Sequence, residues 1–74
     1  MKIEAKYDDY GIERTLKFFT LKVGDGYEMF VKTSNVVQQF VGRVKENGSD
    51  IFIALMYIKQ NIKTANDVRF VQSA

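Results

Sequence analysis

The sequence contains no cysteine and no histidine. Disulfide bonds and thiolate metal sites are therefore excluded, and the chain lacks the commonest metal ligand and general base of proteins. Adjacent carboxylates occur at Asp8 and Asp9, but neighbours on an extended chain point apart, and this pair is typical of a turn. We therefore expect a protein that is not an enzyme and that holds no metal and no cofactor.

The chain also lacks a long hydrophobic run. Its longest apolar stretch, Ile51 to Ile58, falls far short of the ~20 residues that a membrane-spanning helix needs. The first residues alternate charged and apolar side chains, unlike the uninterrupted apolar core of a signal peptide. These features predict a cytoplasmic protein with no membrane contact.

The composition is that of a small folded globule. The 74 residues are 46% hydrophobic and 27% charged, and eleven basic and nine acidic side chains give a net charge of +2 without a block of like charge. We expect one domain spanning residues 1–74. A chain this short buries only about 60% of its unfolded surface, and it has no disulfide or thiolate site for support. A homodimer is therefore expected.

Period-two alternation of polar and apolar residues predicts three strands in the first half of the chain. The strands span residues 2–7, 12–23 and 27–32. Turn-forming residues separate them, namely Asp8-Asp9-Tyr10-Gly11 and Gly24-Asp25-Gly26. The sequence therefore predicts a three-stranded antiparallel meander.

The hydrophobic spacing then changes and indicates a helix over residues 36–46. Five apolar residues recur at helical intervals on one stripe: Val36, Val37, Phe40, Val41 and Val44. Gly42 lies within this segment, and we interpret it as a position of close packing.

The last third of the chain has two interpretations. Residues 51–62 fit either a strand buried on both faces or a helix, and the Ala-Leu-Met centre and the length of the segment favour the helix. Alternation over residues 68–72 predicts a short C-terminal strand. The predicted fold is α+β, a small single domain in which a three-stranded antiparallel meander is followed by two helices and a short C-terminal strand.

The chain has more large rings than a core of this size readily encloses. Exposed tyrosine and phenylalanine are enriched at protein interfaces. We therefore predict a non-catalytic protein-interaction module that binds a larger protein partner. The expected anchors are Phe18, Tyr27 and Phe30, with Tyr10 at the rim. The composition, rich in lysine, isoleucine and asparagine, fits a small accessory or inhibitory protein of a phage or other mobile element.

The same hairpin supports an alternative function, nucleic-acid binding. Gly26-Tyr27 with Phe30-Val31 resembles the aromatic-rich strand motif of RNA-recognition and cold-shock domains, although Asp25 and Glu28 depart from it. The resemblance implies a sheet surface on which bases stack.

Three lysines of the hairpin strands would supply the charge for this alternative. The candidates for neutralising phosphates are Lys17, Lys22 and Lys32. Binding through phosphates weakens steeply with salt, and a protein interface built on aromatic rings does so much less. Salt dependence therefore separates the two functions.

Overall fold

The computed structural model describes residues 2–33, 37–45 and 50–73. These residues form β1 (Lys2–Asp9), β2 (Ile12–Val23), β3 (Gly26–Lys32), β4 (Gln38–Lys45), α1 (Asp50–Asn61) and β5 (Ala65–Ser73). The strands make one sheet in the order β4-β3-β2-β1-β5, and all neighbours are antiparallel. The segment that contains α1 therefore connects the two edges of the sheet.

The predicted fold class is wrong. A three-stranded meander followed by two helices was expected, whereas the described residues form a five-stranded antiparallel sheet with one helix. The error lies in the helix predicted over residues 36–46, where the chain forms β4 and extends the sheet beyond β3. Val36 and Glu46, at the two ends of that prediction, lie outside the described residues.

A β-bulge explains why β4 resembles a helix in sequence. Phe40 lies opposite Phe30, but Gly42 lies opposite Met29, so Val41 is an extra residue in the ladder. The extra residue interrupts the period of two, and the apolar positions 40, 41 and 44 then recur as they would in a helix. Valine is nevertheless a strand-favouring residue, which agrees with the observed strand.

The remaining elements agree more closely with their predicted positions. Residues 50–61 are helical, which confirms the predicted helix and contradicts the alternative of a buried strand. The C-terminal strand is longer than expected, covers residues 65–73 and pairs with β1. Its ladder is irregular between Lys6 and Asp8, close to Asp67, whose φ is +52°.

Helix α1 covers one face of the sheet and completes the core there. The buried cluster consists of Ala5, Phe18, Met29, Val31, Val44, Ala54 and Ile58. The ring of Tyr57 on α1 meets Phe18 edge to face, with centroids 5.9 Å apart. Each large apolar side chain buried in this way contributes about 1.5–3 kcal/mol. The helix has 12 residues, and no described helix is long and apolar enough to cross a membrane.

Two tight turns fix the register of the strands. Tyr10 and Gly11 both have positive φ, +53° and +81°, as a two-residue type I′ turn requires. The Oδ2 atom of Asp8 accepts a hydrogen bond from the backbone N–H of Gly11 at 3.2 Å. Gly24 has φ +63° at the first central position of the second turn. These turns place Phe18 and Phe19 on opposite faces of β2, opposite Val31 and Phe30 respectively.

Candidate nucleic-acid interface

Three phenylalanine rings form a row across the face of the sheet opposite α1, which we call the open face. Phe19, Phe30 and Phe40 lie side by side on β2, β3 and β4. The rings of Phe19 and Phe30 are nearly parallel with centroids 5.5 Å apart, and Phe30 and Phe40 meet edge to face at 5.7 Å. Phe40 is 52% exposed and is the most exposed of the three. We call these three residues the aromatic row.

Lysine side chains border the aromatic row. Lys17 and Lys32 are directly opposite each other on β2 and β3, two positions from Phe19 and Phe30 along the strands. Lys2 on β1 lies opposite Phe19 and continues the aromatic row toward β5. All three lysines are exposed. Since they come from three adjacent strands and face the same side, their ammonium groups surround one area of the sheet.

A cleft of about 440 Å³ lies in this area. Its lining includes Lys2, Lys17 and Lys32, together with Phe19 and Gln38. Glu4 is the single carboxylate among its lining residues and lies opposite Lys17 on β1. Within the described parts of the chain, no carboxylate is at ion-pairing distance from any of the three lysines. The cleft therefore carries an excess of positive charge beside an apolar surface.

The register assigns most of the basic residues to the open face. Seven of the eleven point this way: Lys2, Lys6, Lys17, Lys32, Arg43, Lys45 and Arg69. Four acidic residues share the face, namely Glu4, Asp8, Glu13 and Glu28. Arg69 and Glu13 are 3.9 Å apart and partly neutralise each other. The modest net charge of the sequence is thus unevenly distributed, with its positive excess on the open face.

The four residues expected as protein anchors do not form one surface. Phe18 is 1% exposed and belongs to the core beneath α1, so it is not accessible to a partner in this fold. Tyr27 is partly buried and packs against the same core. Phe30 is in the aromatic row, and Tyr10 is 83% exposed in the first turn. Phe30 alone among them lies within the candidate interface.

Two of the three lysines expected for nucleic-acid binding lie together. Lys17 and Lys32 are neighbours on the open face, beside the aromatic row. Lys22 pairs with Tyr27, and alternation along β2 places it on the same side as Phe18, away from the cleft.

The structure adds residues that the sequence interpretation missed. Phe19 could have been found, because a two-residue turn at Gly24-Asp25 places it opposite Phe30. Lys2 could also have been placed, since alternation along β1 separates it from the buried Ile3. Phe40 was hidden by the bulge, which made its strand look helical.

A second surface lies on the other side of the sheet, between α1 and β4. A groove of about 320 Å³ is lined there by side chains that include Val41, Ile53 and Met56. The hydroxyl of Tyr57 donates a hydrogen bond across it to Oε1 of Gln39 at 3.2 Å. On the outer side of α1, Phe52 is 58% exposed and Met56 is 41% exposed. The groove is lined by both apolar and polar side chains. It shares no lining residue with the lysine cleft, although Phe40 of the aromatic row also lines it.

The acidic residues of the first turn have structural partners. The Oδ1 atom of Asp9 accepts a hydrogen bond from the hydroxyl of Thr64 at 2.7 Å, and its Oδ2 atom pairs with Nε of Arg14 at 3.0 Å. Asp8 bonds the turn backbone, as described above. Among the residues that the structure describes, no group of three or more acidic side chains could hold a metal ion.

Comparisons with protein-family models, with curated proteins and with solved structures found no match to this chain. Functional interpretation therefore depends on the chemistry of the open face itself.

Proposed function

We propose that the protein binds single-stranded nucleic acid on the open face of its sheet. The observation that carries this proposal is the aromatic row adjoining a cleft that presents Lys2, Lys17 and Lys32. Aromatic rings stack with bases of any sequence, and lysines neutralise the phosphates that connect those bases. A single strand is the form of nucleic acid whose bases are free to reach such a surface.

Phe40 is the ring best placed for stacking. Phe19 and Phe30 overlap each other and are partly buried, whereas Phe40 turns its ring relative to Phe30 and is half exposed. A base stacked on Phe40 leaves its phosphate free to follow the open face toward Gln38 and Lys32, which are opposite each other in the β3–β4 ladder. The geometry therefore supports a short binding site that crosses the strands from β4 toward β1.

The experiment is fluorescence anisotropy with labelled oligothymidylate and oligouridylate of increasing length. We expect binding that weakens with salt, with a slope of log K against log salt near −2 if three phosphates are neutralised at about −0.7 each. Phe40→Ala is expected to lower affinity at least fivefold, because stacking on one base contributes about 1–3 kcal/mol.

Phe52→Ala is the matched control, because Phe52 has a similar exposure on α1, on the other side of the sheet. Circular dichroism verifies that both variants fold. Absence of binding at low salt, or an equal effect of the two substitutions, contradicts the proposal.

The surface between α1 and β4 supports a second function, as a protein-interaction module that binds a second copy of this chain. Met56 lines the groove and Phe52 is exposed on the same helix, and nucleic-acid binding on the open face gives neither of them a role. Contact through this surface removes apolar area from water. Phe40 of the aromatic row also lines the groove, so the two surfaces meet at β4.

Sedimentation velocity over a wide concentration range tests this second function. A dimer is expected for the parent chain and a monomer for Met56→Lys, because a charge would be buried in the interface. Ile12→Lys is the control, since Ile12 is exposed in the first hairpin and does not line the groove. A parent chain that stays monomeric at every concentration contradicts self-association.

A further inference from the structure

Lys17 and Lys32 form a like-charge pair across two adjacent strands. Directly opposite residues on neighbouring antiparallel strands have Cβ atoms about 4.5–5.5 Å apart, and like charges at this spacing destabilise the sheet. The register makes them direct partners, and both are exposed on the open face. The sheet therefore carries an electrostatic cost at this position, which an anion between the two ammonium groups would remove.

The other charges around the cleft offset this cost only in part, because Glu4 lies directly opposite Lys17. Lys2 adds a third positive charge, and Glu4 supplies one negative charge. Three positive charges and one negative charge leave a local charge of +2 at the cleft. The next group along β1 on the same face is Lys6, which adds further positive charge, and Gln38 on β4 is neutral.

We infer that this cleft is a phosphate subsite, formed by Lys2, Lys17 and Lys32 and adjusted by Glu4. Lysine ammonium groups act as compact point charges with three donors each and suit a tetrahedral oxyanion approached from several sides. The cleft, at about 440 Å³, is larger than one phosphate group and leaves room for the attached sugar. This inference rests on the proposed function, since the phosphodiester of a bound strand is the intended ligand.

The subsite links anion binding to folding stability. A ligand that binds the folded chain and not the unfolded chain raises stability in proportion to the logarithm of its concentration. Lys32→Gln removes the like-charge pair, so it is expected to raise the melting temperature without anion while weakening anion binding. Glu4→Gln changes the charge in the opposite direction, so it is expected to lower that melting temperature and strengthen anion binding. Opposite effects of these two neutralising substitutions on anion binding are expected where one carboxylate offsets part of the charge of a lysine cluster.

The experiment follows thermal unfolding by circular dichroism with inorganic pyrophosphate as the probe. Sodium chloride at equal ionic strength is the reference, because screening alone relieves part of the repulsion. We expect pyrophosphate to raise the melting temperature of the parent chain beyond the chloride reference. The apparent dissociation constant of pyrophosphate is expected to rise about fivefold in Lys32→Gln, which corresponds to the loss of one exposed ion pair. The same constant is expected to fall in Glu4→Gln. Lys59→Gln, an exposed position on α1, is the control and should leave the constant unchanged.

The outcomes separate the subsite from the proposed function. Pyrophosphate binding with the expected variant pattern but no oligonucleotide binding supports the subsite, overturns the proposed function and identifies a free polyphosphate as the ligand. Oligonucleotide binding that Lys32→Gln weakens no more than Lys59→Gln overturns the subsite and leaves the proposed function standing. A pyrophosphate effect equal to that of sodium chloride also overturns the subsite.

Discussion

At the residue scale, Phe18 and Phe19 are neighbours in the chain but lie on opposite faces of the sheet. Phe18 lies in the core under α1, and Phe19 is part of the aromatic row. Phe18→Ala is expected to lower the free energy of unfolding by about 3–5 kcal/mol, the usual cost of emptying a buried phenylalanine site.

Phe19→Ala should cost much less stability and should lower oligonucleotide affinity, because Phe19 is only partly buried and borders the lysine cleft. Urea unfolding followed by circular dichroism compares the two variants. Equal losses of stability contradict the assignment of these rings to different faces.

Tyr7 gives the molecule a pH dependence in alkaline solution. Burial raises the pKa of its phenol above the ordinary value of 10.0, and the negative charge of Asp9 raises this pKa further. Well below pH 10.0 the phenol is neutral in both the folded and the unfolded chain. Above that pH the unfolded chain releases its proton first, so the free energy of unfolding falls until the folded phenol also ionises.

Tyr7→Phe is therefore expected to flatten the loss of stability at alkaline pH. Tyr10→Phe is the control, because Tyr10 is 83% exposed in the first turn. Urea unfolding at a series of alkaline pH values measures the effect. A parent chain and a Tyr7→Phe variant with the same pH profile would contradict the buried phenol as the cause.

At the scale of the elements, Gly24 and Gly42 differ in how much stability a substitution is expected to cost. Gly24 has φ +63° in the turn between β2 and β3, so Gly24→Ala is expected to cost about 1–2 kcal/mol despite open space around it. Gly42 in β4 has no positive φ, and an added Cβ would meet Cγ2 of Ile53 at an ordinary 3.6 Å. Gly42→Ala should therefore change the free energy of unfolding by less than about 0.5 kcal/mol. A larger cost at Gly42 in urea unfolding contradicts this assignment.

The elements also show how far sequence patterns predict this fold. Alternation and turn chemistry located β1, β2 and β3, because each strand keeps its period of two between sharp turns. The same approach failed at β4, where the extra residue Val41 interrupts the period. That failure also hid Phe40 and left the candidate site incomplete. Lys17 and Lys32 could be selected in advance, but the convergence of Lys2 with them depends on the pairing of β1 with β2.

At the scale of the whole molecule, the sheet joins the first strand to the last. β1 pairs locally with β2, but its other edge pairs with β5, more than fifty residues away. Forming that second pairing requires closure of a long loop, which is entropically costly. We therefore expect Met29→Ala, in the central hairpin, to slow folding, and Phe70→Ala, in β5, mainly to accelerate unfolding. Stopped-flow chevron plots measure both rates, and a slower folding rate for Phe70→Ala would contradict this order.

Irregular ladders affect both outer strands of the sheet, at Val41 in β4 and near Asp67 in β5. An unpaired, regular strand edge is a template on which further chains can add, and that growth leads to fibrils. A bulge twists the strand and interrupts the repeat of donors and acceptors that such growth needs. The sheet can thus leave one broad face uncovered for a ligand while its outer strands resist the edge-to-edge addition of further chains.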